Sequence, residues 1–135
     1  MNYTSTFIRI ASDSHATTAE VPTTRRERKP IHLIQYELIT ENTYKYTQED
    51  LLWITHTVHK SIPPSEATAS ARTIFFAKGQ PCLRSSPLAK KFGWGFHFDG
   101  DGHIALVPTG TAKYNQLAAK KDLLQLAAMR SRRVK

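Results

Sequence analysis

The chain has 135 residues, with 19 lysines and arginines against 11 acidic residues, for a formal charge of +8. A hydrophobic content of 40% beside 22% charged residues excludes a wholly disordered or collagen-like chain, and the length suits a single domain spanning 1–135. The longest apolar runs, Leu51–Ile54 and Ile74–Ala77, are far too short to span a bilayer, so no membrane association is expected.

Thr4–Ile10 is rich in β-branched residues and reads as a first strand. Residues 11–30 are polar, with prolines at 22 and 30, and form a long connection that is either a functional loop or mobile. Pro30 opens a helix whose apolar positions are Ile31, Ile34 and Leu38, ending near Asn42. Thr47 caps the next helix. Glu49 and Asp50 sit at its positive end, and Leu51, Leu52, Thr55 and Val58 supply its apolar stripe. Pro63-Pro64 ends it. Ser65 is expected to cap a third helix that runs through Ala67, Ala71, Ile74 and Phe75 to Gly79. Ser86-Pro87 marks a short fourth helical segment closed by Gly93.

Trp94–Phe98 and His103–Val107 flank Asp99-Gly100-Asp101-Gly102, which gives a β-hairpin with a tight turn. A calcium loop would need further ligands and a distal glutamate that this stretch lacks. From Thr111 the composition predicts two helical segments split around Asp122, then a fraying tail. The expected class is α+β: a small antiparallel sheet, made of the N-terminal strand and the hairpin, covered by several helices.

The charge is unevenly distributed. Residues 25–29 carry +3 and residues 130–135 carry +4, so the remainder is close to neutral at +1. Arg25, Arg26, Arg28 and Lys29 in the loop, with Arg130, Arg132 and Arg133 in the tail, form two clusters able to attract a nucleic-acid backbone. Solvated ends that keep the protein soluble are the plainer reading of both clusters.

Several segments together resemble a family of small, mainly bacterial proteins of unknown function, domain-of-unknown-function family 6157. These are Met1–Thr4 with Thr6–Ile8, Asn42–Thr47, Phe76–Leu88 running into Lys91–His97, Ile104–Leu106, and Ala128–Ser131. The resemblance runs from end to end and implies a whole-protein domain. It brings no reaction, cofactor or catalytic residue. Where relatives are expected to carry Asp-Cys-Pro, this chain has Asp13-Ser14-His15, which removes a two-thiol role for positions 14 and 82.

Three kinds of chemistry remain. Arg84, Ser86, Lys90 and Trp94 suggest a site for an anionic ligand or partner, with a helix start, positive charge and a stacking ring close together. Cys82 is the only cysteine. It cannot form an intrachain disulfide, which points to a reducing, cytoplasmic setting, and it would act as a nucleophile only if a base such as His97 approached it. An inert buried thiol is the plainer alternative. His56 and His59 lie three apart on one helix face, where a solvent-facing pair is expected rather than a metal site, and no metal or cofactor is expected. Tyr44, Tyr46, Trp53, Phe75 and Phe76 are expected in the core or at its rim. The leading expectation is therefore a non-catalytic binding module for an anionic ligand or partner. A nucleic-acid-associated protein and a thiol enzyme using Cys82 are the alternatives.

Overall fold

The computed structural model describes residues 2–131. Its elements follow the chain as β1 (Thr6–Arg9), α1 (Ile31–Glu41), α2 (Gln48–His59), α3 (Ala69–Ala77), a single 3-10 turn (Leu83–Ser85), α4 (Pro87–Lys90), β2 (Trp94–Phe98), β3 (Ile104–Pro108), α5 (Ala112–Ala118) and β4 (Leu124–Ala127). The protein is α+β.

The sheet has the order β3-β2-β1-β4. The hairpin β2–β3 is antiparallel, and β1 pairs antiparallel with β2. On its other edge β1 pairs with β4 in parallel, so the sheet is mixed rather than wholly antiparallel. The second C-terminal helix expected from sequence is this strand. Leu123–Met129 is composed of good helix formers, but the groove beside β1 offers unpaired backbone groups, and satisfying them outweighs a helix propensity of a few tenths of a kcal/mol per residue (~0.5). Gln125 then turns back on α5, its amide donating to the carbonyls of Leu117 and Lys120 at 2.8 and 3.1 Å.

Strand alternation sends side chains to both faces, and both are covered. Ile8, Phe96, Phe98 and Ile104 pack with Ile39, Leu51, Leu52, Leu83 and Leu88 on the face covered by α1, α2 and α4. Phe7, Val107, Tyr114 and Leu117 form a smaller core on the α5 face. This is why Thr6, Phe7 and Ile8 are all buried in succession, since β1 is a central strand with no solvent-facing side.

α1 and α2 begin where their sequence signals place them, and the Thr47 hydroxyl accepts from the Asp50 amide at 3.2 Å. Two positions in their expected stripes differ: Ile31 and Val58 are about half exposed, while Leu33, Gln35 and Ile39 are buried instead. α3 departs further. Its cap is Thr68 rather than Ser65, because a turn following Pro63 occupies the intervening residues, with the Glu66 and Ala67 amides both reaching the Pro63 carbonyl. None of its residues is fully buried, and Ile74 is 60% exposed. Phe75 holds it to α2 through ring contacts with Trp53 and His56, aided by an Arg72–Asp50 ion pair.

The 11–30 segment has no helix or strand, but it is tied to the body. The Ala11 amide donates to the Ala89 carbonyl, the Glu20 amide to the Phe92 carbonyl, and the Trp94 indole N–H to the Glu20 carbonyl at 2.8 Å. Gly93 makes this close approach possible. It has φ +82°, and a Cβ there would lie 2.8 Å from the Thr18 carbonyl oxygen. Gly93→Ala should therefore destabilise the fold by about 1–3 kcal/mol in urea unfolding. A neutral result would mean that the segment does not rest on this residue.

Candidate functional site

Each residue singled out in the sequence has a defined place, and they do not converge. Arg84 is half-buried; its Nε donates to the Ala127 carbonyl at 2.8 Å, and its own carbonyl accepts from the Met129 amide, so it clamps the end of β4. Ser86 is 6% exposed; its hydroxyl accepts from the Leu88 amide as the α4 cap and donates to Gln35 Oε1 at 3.1 Å. Trp94 packs on Tyr36 and donates to the Glu20 carbonyl. Lys90 lines a separate hollow together with Lys91 and residues of the 11–20 segment. The single cleft expected for Arg84, Ser86, Lys90 and Trp94 is therefore not formed, because three of them are spent holding the fold.

Cys82 and His97 are also apart. His97 pairs across the sheet with Phe7, which belongs to the α5-side core, and its Nδ1 is hydrogen-bonded to the Tyr44 hydroxyl at 2.7 Å. Cys82 precedes Leu83 on the opposite face, next to α2 and close to the Tyr3 phenol. Alternation along β2 fixes this separation. The Cys82–His97 form of the thiol-enzyme reading falls with it. Burial, followed by the neighbouring Cys82 thiol, raises the Tyr3 phenol pKa above its ordinary value.

The basic loop is partly engaged within the molecule. The Arg28 guanidinium donates to the His59 carbonyl at the end of α2, and Lys29 pairs with Glu37 at 2.8 Å. Arg25 and Arg26 are exposed. In the tail, Arg130 Nε reaches the Ser12 hydroxyl at 3.0 Å, while Arg132 and Arg133 lie outside the described residues. At the hairpin turn, Asp99, Asp101 and His103 come close enough to share an ion. Asp99 Oδ1, however, already accepts from the Asp101 and His103 amides at 2.9 Å each, which closes the turn.

The structure does form a cavity, in a place that the sequence did not indicate. About 440 Å³ lies between α1, α2, α3 and the bend that carries the 3-10 turn. Leu52, Phe75, Pro81, Leu83 and Pro87 form its apolar walls, and Gln35, Gln80, Ser85 and Ser86 add polar groups. Cys82 and three imidazoles, His32, His56 and His59, line it as well, and among the described residues Lys60 is its one permanently charged lining residue. His56 and His59 thus both line the cavity while staying partly exposed, and the His56 ring lies 4.4 Å from that of Phe75. Thr55 also lines the cavity, and among the described residues its buried hydroxyl has no hydrogen-bond partner.

The position of the cavity follows from two buried glutamines. Gln48 on α2 is 1% exposed, and its Oε1 accepts the Leu83 amide at 2.9 Å. Gln35 on α1 holds Ser86. Together they fix the bend over the helix pair, while α3 stands at its edge. A sequence reading sees glutamine as a surface residue, so only the interruption of each apolar stripe hinted at these roles.

The three imidazoles are biased toward the neutral form. Burial lowers the pKa of each below 6.5, reinforced by Lys91 at His32, by Lys60 and Lys78 at His56, and by Arg28, Lys60 and His56 at His59. A depressed folded pKa means that the unfolded chain takes up protons first. The contribution of these groups to stability is accordingly complete above 6.5 and is lost as pH falls from there through the folded values. NMR titration should place all three midpoints below that of a free imidazole; a midpoint at or above 6.5 for His32 or His56 would contradict the burial that the structure gives them.

Among the described residues, no helix is long and apolar enough to cross a membrane. Searches of curated proteins and of solved structures returned no match. A family model described as a family of unknown function, DUF6157, matches residues 1–134, and the chain belongs to that family.

Proposed function

We propose that this protein is a non-catalytic binding module whose ligand is a small, uncharged, largely apolar molecule with a hydrogen-bonding end. The observation that carries this is the cavity between α1, α2, α3 and the bend. Its volume of about 440 Å³ falls in the range of small-molecule sites, and such sites combine apolar walls with a few convergent polar groups. Among the described residues the lining contains no carboxylate, and its imidazoles are held toward neutrality, so an uncharged ligand meets little electrostatic penalty. Gln80, Ser85 and the histidines supply donors and acceptors for one polar end.

A catalytic reading has less support, because among the described residues no imidazole is hydrogen-bonded to Cys82. A nucleic-acid reading is weakened by the engagement of Arg28 and Lys29 within the chain. A cytoplasmic setting belongs to the same proposal, supported by the single cysteine.

Ligand-observed NMR with a library of small neutral aromatic and aliphatic probes tests the proposal. Binders should shift the His56 and Phe75 resonances and slow alkylation of Cys82 by iodoacetamide. Ser85→Trp, which places a large ring at the cavity wall, should weaken them tenfold or more. Affinity should be flat from pH 7 to 8 and fall below 6.5 as protonated imidazoles enter the apolar wall. A library without binders, or binders indifferent to Ser85→Trp, would refute the proposal.

A further inference from the structure

A second hollow, sharing no lining residue with the apolar cavity, lies where the 11–20 segment passes the end of α4. Its place is set by backbone geometry. The Ala11 amide fastens one end of the segment to Ala89, and the Glu20 amide fastens the other to Phe92, so the chain between them arches beside Lys90 and Lys91. The start of the C-terminal tail closes the space: Arg130 Nε donates to the Ser12 hydroxyl at 3.0 Å, and the Ser131 amide donates to Asp13 Oδ2 at 2.9 Å. The resulting hollow, about 910 Å³, is open and polar.

Its charge is unbalanced. Lys90, Lys91 and Arg130 line it, and among the described residues none of the three has a carboxylate within ion-pair distance. Asp13 and Glu20 are the two acids in the lining, and Asp13 already accepts from the Ser131 backbone. With its Nε on Ser12, the Arg130 guanidinium is oriented, and among the described residues its terminal N–H groups have no other partner. Cations drawn from two separate parts of the chain therefore surround one concave space.

We propose that this hollow binds a compact phosphate-bearing molecule through Lys90, Lys91 and Arg130. Paired ammonium and guanidinium groups suit phosphate oxygens, which accept several charge-assisted hydrogen bonds at once. A compact anion is favoured over an extended polyanion because the exposed Glu20 carboxylate borders the same space and would repel a backbone running past it. Lys90 was the one member of the expected anion site with its charge unspent, and its neighbours in that role are Lys91 and Arg130 rather than Arg84 and Trp94.

The test is an NMR titration of the full chain with inorganic pyrophosphate at low ionic strength, with a random DNA duplex as a parallel arm. Saturable shifts are expected in the amides of Ser12–His15 and Lys90–Lys91. The Lys90→Ala/Lys91→Ala double variant should weaken binding tenfold or more, and Glu20→Gln should tighten it severalfold. Lys91 lies close enough to His32 to lower its pKa, so pyrophosphate should move the His32 midpoint upward. Any of four results would overturn the assignment: no saturable shift, affinity unchanged in the double variant, a His32 midpoint that stays in place, or a duplex that displaces pyrophosphate at equal phosphate concentration.

Discussion

Two buried side-chain amides determine how the central bend meets the helices. Gln48 accepts the Leu83 amide, and Gln35 accepts the Ser86 hydroxyl, each across an interior with little water to substitute. Losing either would leave a buried polar group unsatisfied, at a cost of about 1–3 kcal/mol, so the bend has a single favourable seating. That seating presses Leu83 and Leu88 into the main core while Cys82, Ser85 and Pro87 are left facing α1 and α2 across a gap. The cavity is the space these hydrogen bonds hold open.

The walls of that space differ in firmness. α1 and α2 each contribute several buried side chains to the core and are fixed by it. α3 contributes no fully buried residue and relies on Phe75, Phe76 and one ion pair that is substantially exposed, an interaction worth little in water. The least anchored wall is also the one through which a molecule would enter with the smallest disturbance to the core. Under the proposed binding role, structure and binding would be linked through this unequal burial.

Much of the fold is legible in the residues themselves. Thr47 with Glu49 and Asp50, Pro30 at a helix start, Ser86-Pro87, and the Asp-Gly-Asp-Gly turn are local signals whose physics acts within a few residues, and they locate α1, α2, α4 and the hairpin. β4 is not legible, because Leu124–Ala127 is extended only on account of the β1 edge it meets. The site is less legible still. Arg84 looks like a ligand-binding cation, but the carbonyl of Ala127, 43 positions away, decides its use. His97 looks like a partner for Cys82 until strand alternation sends it to the other face. Gln35 and Gln48, on which the cavity depends, carry no sequence signal beyond their placement on helices whose neighbours are apolar.

The most direct measurement is hydrogen exchange at the Leu83 amide in the native chain and in Gln48→Ala, read together with the alkylation rate of Cys82. The amide should exchange among the slowest in the protein, close to the rate of global opening, although it begins a single 3-10 turn. In the variant it should exchange far faster, and Cys82 should become more reactive as the bend lifts from α2. A native Leu83 amide that exchanges at the rate of an exposed loop would show that the bend is not pinned, and the cavity would lose its structural basis.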